Sequence, residues 1–219
     1  MDLLDEIDAI DISSPDAKKL LLETVKSEDP EARLRSIEKI SLLPSDVEIL
    51  STLQEHLRDT DELVRLACIE AIEDHLDTNS ISKIKKCLDD GDWMVRGQAA
   101  IALSKLGATD AYEIAKIRFK SCHDSEEKTR YCFALFLIDK KYLKEIKELY
   151  RGSGYRVRCA IANNLVDAIY FKWSADESLA LEVLEFLKDS LSNETQASVI
   201  SSLEYAVGEI SDLRNMPEQ

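Results

Sequence analysis

The sequence repeats one short phrase, and this internal periodicity constrains the fold more than any other feature. The stretch DTDELVRLACIEAIEDHL begins at Asp59, and DGDWMVRGQAAIALSKLG follows from Asp90. In both copies an aspartate, Asp61 or Asp92, precedes the arginine of a Val-Arg pair by four residues. A repeat of about 31 residues has the length of two short helices with their turns. The periodicity therefore predicts a stack of helix pairs.

Aligning the sequence on this arginine extends the repeat over most of the chain. The anchor positions are 33, 65, 96, 130, 158 and 196, at steps of 32, 31, 34, 28 and 38 residues. Glu126 precedes Arg130 by four residues, whereas Gly154 stands before Arg158 and Ser192 before Gln196 in a degenerate last copy. We predict one domain, 1–219, with an acidic N-terminal segment 1–15 and repeats at about 16–44, 45–77, 78–107, 108–138, 139–171 and 172–213.

The repeats carry the patterns of amphipathic helices. Apolar residues at helical spacing form one stripe in 61–77, consisting of Val64, Cys68, Ile69, Ile72 and Leu76. Asp61, Asp92 and Asp124 stand where a carboxylate can cap a helix, and Gly107 follows Leu106 where a left-handed stop is expected. We predict second helices at about 30–43, 61–77, 92–106, 125–138, 155–171 and 193–212. Long alternation with period two is missing, so we predict no sheet.

The repeated phrase resembles the HEAT repeat, in the short form shared with phycobilin-lyase-type repeats. The shared core is an acidic residue, then Val-Arg, then Ala and Leu, and the resemblance runs from about Asp16 to Leu213. It implies an all-α fold, a right-handed α-solenoid of about six HEAT-like helix pairs. It also implies that acids and arginines of successive second helices form a ladder between repeats. The residues Asp61, Arg65, Asp92 and Arg96 would then be structural.

Charge is large and unevenly distributed. The net charge is −15, which disfavours binding to nucleic acid or to an anionic membrane and favours basic partners. Residues 1–77 carry 21 acids against 8 bases, and residues 159–219 carry 11 against 3. The basic residues of the middle stretch fall largely on first helices. Because second helices line the concave side in the family resembled, we expect an acidic concave face.

The sequence contains no recognisable catalytic or metal-binding motif. The histidines His56, His75 and His123 fall in different repeats without ligand spacing, and neither a phosphate-binding glycine loop nor a GxSxG stretch occurs. We therefore expect no catalytic residue, no metal site and no cofactor, and a protein that is not an enzyme. Five cysteines without a CxxC pair favour a reducing cytoplasm, and the acidic N-terminus lacks the positive region of a signal peptide.

These features together predict a protein-binding scaffold that uses its acidic concave face. The most specific hypothesis is an immunity-type inhibitor that neutralises a basic toxin such as a ribonuclease, because nuclease toxins are cationic. The predicted partner-binding residues are Glu70, Glu73, Asp74, Asp77, Trp93, Asp167, Tyr170 and Trp173. The alternatives are a HEAT-type DNA glycosylase, a tetrapyrrole lyase, and a general assembly adaptor.

Overall fold

The computed structural model describes residues 2–215, and this part of the chain is all-α, as predicted. Its helices are α1 (Leu3–Asp8), α2 (Ala17–Thr24), α3 (Pro30–Ile40), α4 (Val47–His56), α5 (Glu62–Asp74), α6 (Ile81–Cys87), α7 (Trp93–Lys105), α8 (Ala111–Ser121), α9 (Ser125–Phe136), α10 (Leu143–Gly152), α11 (Tyr155–Ala168), α12 (Glu177–Asn193) and α13 (Ala197–Asn215). From α2 to α13 they form six consecutive pairs, which confirms the predicted number of repeats.

The chain divides into two compact units, one ending at Ala111 and one beginning at Tyr112. In the first unit the second helices α3, α5 and α7 lie side by side, and each packs on the first helix of its own pair. In the second unit α11 lies between α9 and α13, and both α11 and α13 pack on the first helices of their own pairs, α10 and α12. The division into one domain or more stays a prediction, and each unit is described by itself.

Each second helix buries one apolar stripe within its unit. On α5, Val64, Cys68 and Ile72 are fully buried, as the periodicity predicts. On α13, the stripe of Val199, Leu203, Ala206 and Ile210 is also fully buried. Burial of a valine, leucine or isoleucine side chain contributes about 1.5–3 kcal/mol. A single pair has nothing to cover such a stripe, so stacking of neighbouring pairs stabilises the fold.

Aspartates start most of the second helices by capping free backbone N–H groups. The side chain of Asp61 accepts from the amides of Leu63 and Val64, and that of Asp92 accepts from Met94 and Val95. The side chain of Asp124 does the same for α9. A carboxylate at this position satisfies unpaired donors and opposes the helix dipole. The predicted caps are therefore confirmed.

The repeat-to-repeat ladder is real, but its acids lie two residues before the predicted ones. The Arg65 guanidinium donates to both carboxylate oxygens of Asp90, at 2.8 and 2.7 Å. Arg33 contacts Asp59 in the same way, at 2.7 and 2.6 Å. Asp61 and Asp92 cap helices instead, which corrects their assignment as ladder acids.

Each ladder arginine also holds the turn before its own helix. Arg65 Nη1 donates to the carbonyls of Asp59 and Thr60, and Arg96 Nη1 donates to those of Asp90 and Gly91. The arginine thus hydrogen-bonds to the turn before its own helix. The acid two residues before the helix cap accepts hydrogen bonds from the arginine of the preceding repeat.

The structure corrects the register of two later repeats. Asp124 caps α9, so the position four residues later, Lys128, is the equivalent of the anchor arginine, not Arg130. In the last repeat Glu194 accepts from Arg158 and from the amide of Gln196, as Asp90 accepts from Arg65 and Asp92. Gln196 is therefore at the cap position. The ladder thus includes the last repeat, where Glu194 replaces the aspartate.

Three further local features differ from the sequence analysis. The N-terminal segment contains a helix, α1, which packs on α3 and buries Ile7. Residues Ile169–Trp173 form a π-helical turn after α11. Leu76, which was predicted in the apolar stripe, lies beyond the end of α5 and is 58% exposed.

Leu76 and Gly107 terminate equivalent helices in the left-handed conformation. Leu76 has φ +51° and Gly107 has φ +70°, so the predicted glycine stop is confirmed. At α5 the amides of Leu76 and Asp77 donate to the carbonyls of Glu73 and Ile72, which closes the last turn. Only glycine adopts this conformation without a penalty from its Cβ, so the leucine is strained.

Candidate functional site

Two of the predicted binding residues, Glu73 and Asp77, are buried. Only 5% of Glu73 is exposed, and its carboxylate accepts from Gln98 Nε2 at 3.0 Å and pairs with the Lys105 ammonium. Burial raises the pKa of Glu73, and the charge of Lys105 offsets part of that shift. Glu73 therefore links α5 to α7 and cannot contact a partner, which corrects its assignment as a binding residue.

Asp77 also has a structural role. Its side chain accepts from the Asn79 amide, from Ser80 Oγ and from Gln54 Nε2, and caps a turn of 3₁₀ helix at Thr78–Ser80. Burial opposes ionisation, but these hydrogen bonds outweigh it and keep the pKa of Asp77 below its ordinary value. With 6% of its surface exposed, Asp77 belongs to the packing between α4 and α6 and is not a binding residue.

The remaining predicted residues of the first unit reach the surface. Glu70 and Asp74 are exposed one turn apart on α5, and Trp93 is half-buried at the start of α7. Two like charges at this spacing repel each other, so the pair gives the exposed face of α5 a negative potential. Their role in partner binding stays a prediction.

The predicted residues of the second unit lie on α11 and the π-helical turn that follows it. Asp167 and Tyr170 are exposed. Trp173 is half-buried and its ring packs on Phe136 at a centroid distance of 6.2 Å. A π-helical turn changes the direction of the side chains that follow it, and such turns occur often at functional sites. Here the turn presents Tyr170 and Phe171 at the surface, 39% and 43% exposed.

Tyr170 meets the exposed stripe of the neighbouring helix α13. Its hydroxyl lies 3.4 Å from a carboxylate oxygen of Glu209 and 3.4 Å from the Glu209 carbonyl. Tyr205 and Asp212 stand on the same stripe of α13, one turn before and after Glu209. We name Tyr170, Tyr205, Glu209 and Asp212 the tyrosine–carboxylate face.

The electrostatics of this face are negative. The pKa of Tyr170 is raised, first by partial burial and then by the neighbouring charges of Glu209 and Asp212. Among the residues whose side chains are described, neither Glu209 nor Asp212 forms an ion pair. Residues 159–213 contain ten acids and two bases, Lys172 and Lys188. The face therefore combines exposed aromatic rings with carboxylates that have no cationic partner in the described chain.

Sequence reasoning found Tyr170 but missed Tyr205, although Tyr205 is 55% exposed. The i, i+4, i+7 spacing of Tyr205, Glu209 and Asp212 is the signal that identifies these residues as one helical stripe.

Within the described residues, the clefts and thiols have the following properties. A cleft of about 530 Å³ in the first unit is lined by the ladder residues Arg65 and Asp90 together with Cys87, whose pKa burial raises to about 11. Burial also raises the pKa of the Cys68 and Cys132 thiols, which makes them poor nucleophiles at neutral pH. No group of three potential metal ligands occurs within the described residues.

No helix in residues 2–215 combines the length and the apolar character required to cross a bilayer.

Comparison with known proteins supports the repeat assignment. Residues 50–135 match the family model for HEAT repeats. A search of curated proteins found no significant match. The structure is similar, at 16% sequence identity and a TM-score of 0.63, to a chain from the complex of CpcE and CpcF of phycocyanin lyase from Nostoc sp. PCC7120, over 91% of this chain and 84% of that chain.

A second solved structure, the archaeal HEAT-like repeats protein from Thermococcus onnurineus NA1, matches at 16% identity and a TM-score of 0.40, over 96% of this chain and 93% of that chain. At this identity the likeness to the CpcE–CpcF complex shows the fold. Residues 50–135 thus match the HEAT-repeat model, and the described chain has a helical-repeat fold similar to that of HEAT-like proteins.

Proposed function

We propose that this chain is a non-catalytic scaffold that binds a basic protein on its tyrosine–carboxylate face. The observation that carries the proposal is the exposure of Tyr170 and Tyr205 beside Glu209 and Asp212, two acids without an ion pair in the described chain. Tyrosine is enriched among the few residues that carry most of the binding energy at protein interfaces, while surrounding charges select the partner and accelerate association.

A negative face of this kind favours a partner with the opposite charge. The net charge of −15 attracts cationic proteins at long range, and the attraction weakens as salt screens it. The exposed acids Glu70 and Asp74 of the first unit add to the same long-range field. A cytoplasmic setting is part of the proposal, and the five free cysteines support it.

The test is capture by the immobilised chain, followed by reconstitution with the purified partner. The charge-reversed variant Glu209→Lys/Asp212→Lys is compared with Glu185→Lys, which reverses an exposed acid on α12 of the same unit. We expect the wild type and Glu185→Lys to capture a basic protein that the double variant does not capture. Its association rate should fall as salt rises. A partner retained equally by all three proteins would refute this face as the site.

The α5 surface is tested separately with Glu70→Lys/Asp74→Lys. If α5 takes part, charge reversal slows association at low salt and has less effect at high salt. An unchanged rate at low salt would remove Glu70 and Asp74 from the binding surface.

Within this class, we propose an immunity-type inhibitor of a basic toxin such as a ribonuclease as the most specific version. It predicts that the captured partner is a nuclease and that the chain inhibits the nuclease at equimolar amounts. A captured basic protein without nuclease activity would leave a general assembly adaptor.

The likeness to a chain from a phycocyanin lyase complex suggests a second candidate, an accessory subunit of a tetrapyrrole lyase. This candidate predicts a shifted absorption band when a linear tetrapyrrole is added to the chain with its partner. An unchanged spectrum would reject it. A HEAT-type DNA glycosylase predicts a gel shift with duplex DNA at low salt, and the acidic surface argues against that result.

A further inference from the structure

We infer that the tyrosine–carboxylate face receives an arginine side chain of the basic partner, between the rings of Tyr170 and Tyr205 and the carboxylates of Glu209 and Asp212. This inference rests on the proposed function and specifies the chemistry of the partner.

The spacing places rings and carboxylates within reach of one cation. Tyr205 and Glu209 are four residues apart on α13, so their Cβ atoms are about 5–6 Å apart. Tyr170 reaches Glu209 from the turn after α11, with its hydroxyl 3.4 Å from the carboxylate. Both rings are thus adjacent to the same acid, and 39% and 55% of their surfaces are exposed.

This combination suits a guanidinium better than an ammonium. A guanidinium is planar, stacks on an aromatic ring and donates two parallel hydrogen bonds to a carboxylate, whereas an ammonium acts as a point charge. Cations also bind the negative face of a tyrosine ring. The partner's arginine would therefore satisfy the carboxylate and the rings together.

Gly208 provides the room for this side chain. It lies inside α13 on the exposed stripe between Tyr205 and Asp212, and a Cβ built on it meets no atom within 4 Å. Its φ is outside the left-handed region, so the backbone does not require glycine there. A glycine inside a helix lowers stability by about 1 kcal/mol relative to alanine. A side chain at position 208 would therefore occupy open space that an incoming side chain can use.

The test uses a short capped peptide with two arginines in a glycine–serine background. Matched peptides carry lysine, or citrulline, which keeps the shape of arginine without its charge. Binding is measured by calorimetry and by NMR shifts of assigned tyrosine rings. We expect the arginine peptide to shift Tyr170 and Tyr205 and to bind about tenfold tighter than the citrulline peptide, with lysine between them.

Variants of the chain separate binding from folding. Tyr170→Leu and Tyr205→Leu should each weaken binding of the arginine peptide about threefold to fivefold. Tyr155→Leu is the matched control, because Tyr155 is an exposed tyrosine on α11 that lies beside Arg156. Gly208→Leu should weaken binding without lowering Tm, since leucine favours helices and the site is open.

Equal affinity for the arginine and citrulline peptides would overturn the inference, as would equal losses in Tyr155→Leu and Tyr205→Leu. If a basic protein is captured and lost in Glu209→Lys/Asp212→Lys, but the peptides show no preference for arginine, the proposed function stands and this inference falls. If no basic protein depends on the face, the proposed function fails as well.

Discussion

The ladder between Arg65 and Asp90 gives the most direct test of how successive repeats are held together. The substitution Arg65→Met removes the guanidinium and keeps most of the apolar stem. The pair is 15% and 12% exposed, and its two hydrogen bonds measure 2.8 and 2.7 Å. Asp90 would keep only the hydrogen bond from the Asp92 amide, and the carbonyls of Asp59 and Thr60 would lose a donor.

The expected loss follows from what remains buried. Removing one partner of a fully buried ion pair costs about 3–5 kcal/mol. Because both side chains keep some contact with water, we expect Arg65→Met to lower the free energy of unfolding by about 3 kcal/mol. The assay is urea unfolding followed by circular dichroism. Lys18→Met is the control, since Lys18 and its partner Asp46 are 35% and 44% exposed, and we expect no measurable change.

A double-mutant cycle with Asp90→Asn isolates the pair. Asparagine keeps an oxygen for the Asp92 amide and removes the charge. We expect a coupling of about 2 kcal/mol between Arg65→Met and Asp90→Asn. Effects that add to within about 0.5 kcal/mol would refute the ladder as a source of stability between repeats.

The same pair fixes the sign of a pH dependence. Burial opposes ionisation of Asp90, but the hydrogen bonds from Arg65 and the Asp92 amide outweigh it and lower its pKa. The stabilisation is therefore present above the pKa of an unfolded aspartate, about 4, and disappears as pH falls through the lower folded pKa. The difference in stability between wild type and Arg65→Met should shrink over that acidic range.

Two further predictions concern the end of α5 and its contact with α7. Leu76→Gly should raise the free energy of unfolding by about 1 kcal/mol, because glycine adopts φ +51° without strain. Gly107→Ala should lower the free energy of unfolding, because alanine is strained at φ +70°. A lower free energy of unfolding in Leu76→Gly would contradict the strain assigned to Leu76. Lys105→Met leaves the buried Glu73 carboxylate without its cation, so we expect a loss of about 3 kcal/mol at neutral pH. Burial raises the pKa of Glu73, and Lys105→Met removes the charge that offsets part of that shift, so Glu73 is protonated more readily in the variant and the loss should shrink as pH falls from neutral. Urea unfolding at neutral and at mildly acidic pH measures this, and a loss independent of pH would contradict it.

The sequence separation of two contacting residues explains which contacts could be predicted. Asp61 and Asp92 cap their helices as predicted because capping depends on residues two and three positions away. The ladder acid was misassigned because Arg65 finds Asp90, 25 residues later, only after two repeats have packed. Sequence spacing alone cannot distinguish Asp59 from Asp61, since both precede the arginine of the same phrase.

The predicted binding residues also include some whose role the sequence cannot determine. Glu70, Glu73 and Asp74 are acids on one helix, and the sequence treats them alike. Glu73 is buried because Gln98 and Lys105 of α7 cover it, so only the packing of α7 on α5 makes it structural.

The sequence by itself determined the helix pairs, their number and most of their caps, because each depends on residues within one or two turns of a helix. The tertiary structure decided which acids bind arginines, which acids are buried and which tyrosines meet carboxylates. Those contacts join residues on neighbouring helices, such as Tyr170 and Glu209, 39 positions apart. Their geometry exists only once the helices have stacked, because the phase and direction of each helix, including the π-helical turn at Ile169–Trp173, set where its side chains point.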